Sequence, residues 1–538
     1  MWQQNYTPVA NSLVLSALVA AVPILVLLFL IGIRRKPAWI ASLAGLGTTI
    51  VLAAVIYRMP AGMLFESVLY GAAFGLFPIG WVVFSAILLY RVMQESGRFN
   101  ALKDSIGQLT DDGRLQMMLV AFAFGAFIEG CAGFGTPVAV AATMLTGLGF
   151  SPFTSAAVCL LANTAPVAFG SIATPILTLR ATTGLPLDRL SAGVGRICAP
   201  VSLFIPAYMI AVMCGWAGLR GVLPAAAVCG IAFAGTQFAV SNFIGPELTD
   251  ILASIAAMAS LFVLVKVWKP RDKFDFGHLA PAKVHHSKRD LALAWAPYMI
   301  LVVLVLLWGY PPIKAKLDSF NVLISWPGLH NLVQRMPPAV AAPANYGAVF
   351  NFNWLSASGT ACLFTAILGA IVVGLKPAQF ARVFGQTAKQ LALAELTLAA
   401  VLALAQVMNY SGATATLGLA FSATGVLFPL FSSVLGSLGV FLTGSDTSAN
   451  ALFGTLQTVT ATKLGMNPVL MASGNSAGGV MGKMISLTSI AVAAAATSMK
   501  REDEGRLFGF TLKHSIFLTL VVGLVVMFYA YLAPQLAP

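Results

Sequence analysis

The feature that most constrains this chain is a series of long apolar runs that contain no charged residue. Six such runs lie at 12–33, 67–90, 222–246, 291–313, 352–375 and 515–538. Each is long enough to cross a bilayer as a helix, which takes about 20 apolar residues. Only 9% of the residues are charged and 59% are hydrophobic, so a soluble fold could not bury this much apolar surface. The chain is therefore predicted to be an all-α, multi-pass membrane protein.

Lysine and arginine are concentrated in a few of the connecting segments. They cluster at 34–36, 91–114, 266–289, 376–389 and 500–513. Cytoplasmic loops carry an excess of positive residues, so these segments are predicted to be cytoplasmic. The less positive segments, at 58–66, 180–189, 241–250 and 311–351, are predicted to face outward. About 12 transmembrane helices fit this alternation, and the formal net charge of +13 then belongs to the loops and indicates no nucleic-acid partner.

Cysteine and histidine form no pattern for metal binding or catalysis. The six cysteines lie in apolar segments without a CxxC pair. The five histidines lie in predicted loops or at the edge of a span, which leaves no intramembrane base for a nucleophile. We therefore expect no metal, no cofactor and no catalytic residue, and we do not expect an enzyme.

Two apolar regions are too long for one helix and are broken near their middle. The first, 117–149, contains "GCAGFGTP", and the second, 391–432, contains "NYSGAT". Broken backbone at membrane depth is tolerated only where it faces protein or a water-filled cavity. Each region is therefore predicted to form a re-entrant hairpin that lines such a cavity.

The two halves of the chain resemble each other around these regions. "TGLGFSPFTS" (146–155) matches "TGVLFPLFSS" (424–433) at five of ten positions. This predicts a first repeat at 1–220 and a second at 354–538. Connecting spans at 221–353 would include a cytoplasmic loop at 266–289 and an outward loop at 311–353. Inverted repeats need an odd number of spans between equivalent elements, whereas the charge pattern predicts an even number.

Few charged residues lie within the apolar bulk. Glu129 and Asp446 sit beside polar breaks, and an ionisable group at membrane depth is by default functional. Burial disfavours the charged form of a carboxyl group, so these two acids are predicted to couple proton entry to anion entry. Lys483 and Arg196 are predicted to pair with the acids or with the substrate, and a structural ion pair is the alternative.

The polar and glycine-rich breaks supply the candidate substrate-binding residues. Glycine lets the backbone leave helical geometry, and a helix that restarts after a break directs free N–H groups and its positive dipole end at the gap. Such a gap accepts a small anion, although a single glycine is more often a helix-packing residue. The candidates are Gly130, Cys131, Gly133, Gly135, Thr136, Asn163, Thr164, Ser411, Gly412, Ser445, Thr447, Ser448, Asn475 and Ser476.

Several long motifs together resemble the bacterial lactate permease family. They include "EGCAGFGTPVAVAA" (129–142), "LLANTAPVAFGS" (160–171), "GSDTSAN" (444–450) and "GNSAGGVMGKMIS" (474–486), and the resemblance covers essentially the whole chain. Such permeases carry L-lactate, D-lactate and glycolate across the inner membrane by proton symport. They are placed among ion transporters built from two inverted repeats with re-entrant hairpins. The resemblance therefore implies a scaffold and a mobile transport unit.

The leading hypothesis is a proton-coupled symporter of 2-hydroxymonocarboxylates in the bacterial inner membrane, with substrate, protons and lipid as its only expected partners. A sodium-coupled carboxylate carrier is the alternative, because the same broken backbone could hold Na⁺. An intramembrane enzyme is a third hypothesis, and the absence of a paired base or metal ligands argues against it. A homodimer is compatible with the sequence, which does not determine the oligomeric state.

Overall fold

The computed structural model describes residues 1–107, 109–133, 135–272, 274 and 286–538. Within them, eleven helices are long and apolar enough to cross a membrane, and twelve if a bent pair counts as one span. The predicted all-α, multi-pass architecture is confirmed. Part of the predicted cytoplasmic loop 266–289, namely 273 and 275–285, lies outside the described residues, as does position 134 in the first predicted break.

The helices of the N-terminal half include two short ones, α5 and α6, that precede the first predicted hairpin. They are α1 (Leu13–Gly32), α2 (Ala38–Val55), α3 (Ala61–Phe74), α4 (Trp81–Glu95), α5 (Arg98–Gly107), α6 (Gly113–Gln116), α7 (Gly125–Cys131), α8 (Thr136–Gly147), α9 (Pro152–Ala162), α10 (Gly170–Thr183), α11 (Leu187–Phe243) and α12 (Thr249–Val267). Short helical segments of other types join some of these helices. A π-helix joins α3 to α4 (Gly75–Gly80) and another joins α6 to α7 (Met117–Phe124), and a 3-10 helix lies between α9 and α10 (Val167–Phe169).

The C-terminal half continues with ten helices. They are α13 (Lys288–Gly309), α14 (Pro311–Asp318), α15 (Ser358–Val372), α16 (Pro377–Ser411), α17 (Ala413–Phe421), α18 (Phe428–Thr443), α19 (Asp446–Lys463), α20 (Pro468–Lys483), α21 (Leu487–Ala496) and α22 (Arg501–Met527). Short helical turns follow at Ser422–Leu427, Phe528–Leu532 and Pro534–Leu536.

The predicted outward loop 311–353 is built around two small sheets. Their strands are β1 (Trp2–Gln3), β2 (Val322–Ser325), β3 (Val333–Arg335), β4 (Ala344–Tyr346) and β5 (Val349–Phe352). β3 lies between β1, which is parallel to it, and β4, which is antiparallel. β2 pairs antiparallel with β5. The N-terminal residues therefore lie on the same side of the membrane as this loop.

Helix α11 supplies two membrane crossings. Its 57 residues would extend about 85 Å if straight, because a helix rises 1.5 Å per residue. That length is well beyond a hydrocarbon core of about 30 Å. The backbone leaves helical geometry at Gly215 and Val222, which divides α11 into two segments that can each cross a membrane.

The first predicted hairpin is present. Its descending arm, α6 and α7, ends at Cys131, and its ascending arm, α8, begins at Thr136. Gly133 (φ +60°) and Gly135 (φ +80°) adopt left-handed geometry at the tip, which only glycine adopts without strain. We call residues 113–147 the first hairpin. The following helices α9 and α10 bend by 66°, and we call residues 152–183 the first broken span.

The second hairpin lies further along the chain than the predicted position, 391–432. Helix α16 is continuous over 35 residues and is long and apolar enough to cross a membrane. "NYSGAT" marks only its end, where Gly412 (φ +90°) caps it. A glycine C-cap and a glycine hairpin tip look alike in sequence. We propose that α18 and α19, at 428–463, form the second hairpin, and that α20 and α21, at 468–496, form the second broken span.

The two hairpins enter from opposite sides. Arg114, at the start of the first hairpin, donates a 2.9 Å hydrogen bond to Asp272 in the predicted cytoplasmic segment after α12. Lys463, at the end of the second hairpin, shares a cavity with Gln4 on the outer side. The shifted second hairpin also leaves an odd number of crossings between the hairpins: the first broken span, two from α11, and α12, α13, α15 and α16. An odd number is what an inverted arrangement requires.

Each half of the chain packs its hairpin against the broken span of the other half. Helix α8 packs on α21, and Oγ1 of Thr143 lies 3.3 Å from the carbonyl oxygen of Ala496, to which it donates. Helix α19 packs on α10, and Oγ1 of Thr455 donates to the carbonyl oxygen of Thr182 at 2.8 Å. The tips of both hairpins and the breaks of both spans consequently meet at one place.

Candidate functional site

A cavity of about 250 Å³ lies where the two hairpin tips and the two broken spans meet. Its other wall is formed by α1, α2 and α16. The tips contribute Glu129, Gly133, Gly135 and Thr443–Ser448. The broken spans contribute Val167, Gly170, Ser171, Thr174, Pro175, Lys483, Thr488, Ser489 and Val492. The opposite wall consists of Leu27, Ile31, Ala38, Ser42, Ala394, Thr397, Leu398 and Val401.

Glu129 lies in the last turn of α7, where the first hairpin reaches the cavity. It is 4% exposed, and Oε2 has no hydrogen-bond partner among the described residues. Oε1 packs against Gly170 of the first broken span, where a Cβ atom would come within 2.5 Å of it. Only glycine at 170 allows the carboxyl group this approach.

Asp446 occupies the first position of α19, directly after the tip of the second hairpin. Oδ2 accepts hydrogen bonds from Ser476 Oγ at 2.7 Å and from Asn450 Nδ2 at 3.3 Å. Oδ1 finds no partner within the described part of the chain. A carboxylate at a helix N-terminus is favoured by the helix dipole, so both the helix and the side chains hold Asp446 in place.

Asn475 and Ser476 form a polar network behind Asp446 and do not line the cavity. Asn475 Nδ2 donates to Asn450 Oδ1 at 2.9 Å, and its Oδ1 accepts from Gln457 Nε2 at 3.0 Å. Asn450 Nδ2 also donates to the carbonyl oxygen of Pro175 at 3.1 Å, which ties the second hairpin to the first broken span. The network fixes the position of one acid and the relative position of the two halves.

Lys483 is the cation of the cavity. It ends α20 and is 9% exposed, and its Nζ donates to the carbonyl oxygen of Gly444 at 2.5 Å. Its charge acts on both Glu129 and Asp446. Lys483 therefore links the second broken span to the tip of the second hairpin, and it lines the same cavity as Glu129 and Asp446.

Two helices begin at the cavity with a serine cap. Ser445 caps α19 by accepting from the Ser448 amide at 3.3 Å, and Ser486 caps α21 by accepting from the Ser489 amide at 3.2 Å. The caps leave other first-turn N–H groups free, and the positive ends of both helices favour an anion here. Of the predicted site residues, Thr447 and Ser448 line the cavity together with Ser445.

Several other predicted site residues lie away from the cavity. Ser411 and Gly412 end α16 at the outer side, where Gln4 Nε2 donates to the carbonyl oxygens of Asn409 (2.8 Å) and Tyr410 (2.9 Å). The break that they form is therefore covered by the N-terminal segment, and the prediction that it contacts substrate is corrected.

Arg196 pairs with neither acid. It donates to Asn242 Oδ1 at 2.8 Å and to the carbonyl oxygen of Leu536 at 2.7 Å. These bonds tie α11 to the C-terminal end of the described chain, so the residue has a structural position rather than a place in the cavity.

The remaining predicted residues surround the cavity without lining it. Gly130, Cys131, Asn163 and Thr164 are buried in the first hairpin or the first broken span. Thr136 lines a second cavity of about 470 Å³ that shares Gly135 and Val492 with the first. The second cavity also reaches Gln94 and Lys103, on the predicted cytoplasmic side.

Sequence reasoning missed two buried polar residues at the site. Asp250, predicted to lie in an outward segment, is 1% exposed, and no described residue bonds either carboxyl oxygen. It packs against Gly130 beneath the first tip. Ser171 lines the cavity and is 3% exposed. Two features of the sequence could have indicated these residues. Asp250 stands at the start of an apolar helix, and Ser171 directly follows Gly170.

Comparisons with known proteins agree on one family. A family model described as L-lactate permease matches residues 16–533. The L-lactate permease of Escherichia coli (strain K12) is 42% identical over 551 residues, which cover 100% of both chains. Glycolate permease GlcA of the same organism is 42% identical over 552 residues, with 98% of each chain covered. Among solved structures, Neisseria gonorrhoeae MtrF has a TM-score of 0.51 at 12% identity, covering 94% of this chain and 97% of its own. This last likeness concerns the fold alone.

Proposed function

The chain belongs to the L-lactate permease family, and on this premise we propose that it transports L-lactate and related 2-hydroxymonocarboxylates, including D-lactate and glycolate, by proton symport. The proposed location is the bacterial inner membrane. The family consists of permeases, so the protein moves its substrate and does not convert it. We propose that the protein forms a homodimer, and mass photometry of the purified protein would measure its oligomeric state.

The observation that carries the proposal is the charge of the cavity. Among the described lining residues, only Glu129, Asp446 and Lys483 are charged. With both acids ionised and the lysine protonated, the lining has one net negative charge. A carboxylate that entered alone would add a second negative charge in a partly desolvated space, where like charges repel strongly. A proton that enters with the anion leaves the net charge unchanged, so electrostatics favours symport of the pair.

Lys483 and the starts of α19 and α21 provide the carboxylate-binding part of the site. The Lys483 ammonium group has three donors, and one of them is used by the Gly444 carbonyl oxygen. A substrate carboxylate can take a second donor at the same time. The charge-assisted bond would be stronger than a neutral one, and the two helix N-termini add favourable potential.

Glu129 is the proposed proton carrier. Asp446 Oδ2 accepts hydrogen bonds from Ser476 and Asn450. Although its Oδ1 has no described partner, protonation there would weaken both bonds, because a neutral carboxyl group is a weaker acceptor than a charged one. Oε2 of Glu129 has no such bond to a described residue. Protonation of Glu129 would therefore remove a negative charge from the cavity without breaking a hydrogen bond at that oxygen.

Alternating access follows from the opposite entry of the two hairpins. The cavity extends to Ile31 and Ala38, at the ends of α1 and α2 next to the positive segment 34–36. On the other side, the second hairpin covers the cavity. We propose that this conformation is open toward the cytoplasm, and that a shift of the hairpins and broken spans against α1, α2 and α16 exposes the site to the outside.

The test uses purified protein in liposomes, with the pH gradient and the sodium gradient varied independently. We expect an inward proton gradient to drive accumulation of labelled lactate in the absence of sodium. Substrate specificity is measured with lactate, glycolate, pyruvate and acetate as competitors. Accumulation that follows the sodium gradient at constant pH would instead support the sodium-coupled alternative, and absence of lactate exchange would overturn the proposal.

A further inference from the structure

Three consecutive residues of the first broken span have left-handed backbone geometry. Ser171 (φ 47°, ψ 52°), Ile172 (φ 55°, ψ 49°) and Ala173 (φ 59°, ψ 28°) follow Gly170 directly. This geometry is unfavourable for residues with a side chain, and most of all for a β-branched residue such as Ile172. Strained backbone of this kind persists only where its surroundings impose it, and it is concentrated at ligand sites.

The strained turn contains a buried hydroxyl group, that of Ser171. Ser171 is 3% exposed and lines the cavity, and its Oγ has no hydrogen-bond partner in the described parts of the chain. The other hydroxyl of the turn is satisfied, because Thr174 Oγ1 donates to the carbonyl oxygen of Ser171 at 2.6 Å. A buried hydroxyl group without a partner is unfavourable, so the geometry indicates a ligand for Ser171 in particular.

Ser171 and Glu129 lie on the same wall of the cavity. A Cβ atom on Gly133 would come within 2.9 Å of the Ser171 Cβ and 3.6 Å of Glu129 Oε1. The hydroxyl of Ser171 can donate, and the carboxylate of Glu129 can accept. Their combination suits a group that both accepts and donates one hydrogen bond, which is an alcohol. The Lys483 ammonium group, in contrast, suits only an acceptor such as a carboxylate.

We propose that Ser171 recognises the 2-hydroxyl group of the substrate: the Ser171 hydroxyl donates a hydrogen bond to its oxygen, and a carboxyl oxygen of Glu129 accepts a hydrogen bond from its O–H. This inference rests on the proposed function and adds the residue that distinguishes 2-hydroxy acids from plain carboxylic acids. A site built to bond a hydroxyl group discriminates against an analogue that lacks it, because the buried polar groups are then left unpaired.

The experiment compares L-lactate with propionate, which has the same carbon skeleton without the hydroxyl group. Affinities are measured by competition against labelled lactate exchange in proteoliposomes, for the wild type and for Ser171→Ala. We expect the wild type to bind L-lactate more tightly than propionate. In Ser171→Ala the ratio of the two affinities should fall by about tenfold, because the affinity for L-lactate falls and that for propionate is unchanged. Ser171→Gly removes the hydroxyl group and relieves the backbone strain at position 171, so it provides a second variant if the first does not fold.

Ser155→Ala is the matched control. Ser155 is also a fully buried serine of the first broken span with an unpartnered hydroxyl group, but it does not line the cavity. It should keep the wild-type preference. An unchanged preference in Ser171→Ala and Ser171→Gly would overturn the inference, as would a wild type that binds lactate and propionate equally. In both cases lactate exchange persists, whereas failure of the proposed function would remove exchange in the wild type itself.

Discussion

Ser476 Oγ donates a 2.7 Å hydrogen bond to Asp446 Oδ2, joining the second broken span to the tip of the second hairpin. Glu129 Oε2, in the other half of the chain, receives no such bond from a described residue. The two acids line one cavity with different support, Glu129 just before the tip of the first hairpin and Asp446 just after the tip of the second. One is held by a network, and the other is available for a change of protonation state.

Replacing Glu129 with glutamine should separate exchange from accumulation. The amide has the shape of a protonated carboxyl group but cannot release a proton. We expect Glu129→Gln to retain lactate exchange at equal pH and to lose accumulation driven by a proton gradient. Glu502→Gln, at an exposed surface acid, should behave as the wild type. Full accumulation by Glu129→Gln would exclude this residue as the proton carrier.

Removing the Ser476 hydroxyl group should lower stability. A hydrogen bond to a charged group contributes about 1.5–3 kcal/mol, so Ser476→Ala should lower the free energy of unfolding by about that amount. Denaturant unfolding in detergent measures the change. Ser473→Ala is the matched control on the same helix, because the Ser473 hydroxyl group is buried without a described partner. Equal losses in both variants would contradict the role of the bond to Asp446.

Lys483 should determine carboxylate affinity. Lys483→Gln keeps a donor but removes the charge, so we expect lactate affinity to fall by roughly tenfold or more. Isothermal titration of the protein in nanodiscs measures this affinity. Arg196→Gln is the control, because it removes a positive charge outside the cavity. This variant should bind lactate with wild-type affinity. An affinity for lactate that is the same in Lys483→Gln and the wild type would place the carboxylate elsewhere.

The buried Arg114 should be essential for stability of the first hairpin. Its side chain is 0% exposed and is paired with Asp112 and Asp272. Removal of one partner from a buried ion pair costs about 3–5 kcal/mol, so Arg114→Met should lower the free energy of unfolding by about that amount. A loss below about 1 kcal/mol would mean that the pair contributes little, as exposed pairs do.

Asp272 gives the same cluster a pH dependence. Its hydrogen bond from Arg114 lowers the pKa of the Asp272 carboxyl group. Because the folded-state pKa lies below the unfolded value of about 3.9, the stabilisation is complete above that pH and is lost as the pH falls through the lowered pKa. The difference in melting temperature between the wild type and Asp272→Asn should therefore be constant near neutrality and shrink below about pH 4. A constant difference down to pH 2 would contradict the assignment.

The charge-free runs were sufficient to predict the membrane architecture, because hydrocarbon imposes both length and polarity on every span. The first hairpin was also predictable, since Glu129 and its glycines interrupt an apolar run where no helix needs to end. The second hairpin was predicted around Gly412, but a glycine can end a complete helix as readily as it can form the turn of a hairpin. Ser171 was missed although it directly follows Gly170, because the left-handed turn over Ser171, Ile172 and Ala173 contains no glycine that would predict it.

The contact between α8 in the first half and α21 in the second affects the order in which the protein folds during synthesis. The hydrogen bond from Thr143 to Ala496 joins residues that are 353 positions apart in the chain. Helix α8 therefore emerges from the ribosome long before α21 exists to support it, and contacts so distant in sequence form late. The first hairpin also packs on α9, α10 and α12 of its own half, so only the closure of the cavity depends on the last part of the chain. Truncation after α20 should thus leave the first half inserted but without a finished cavity.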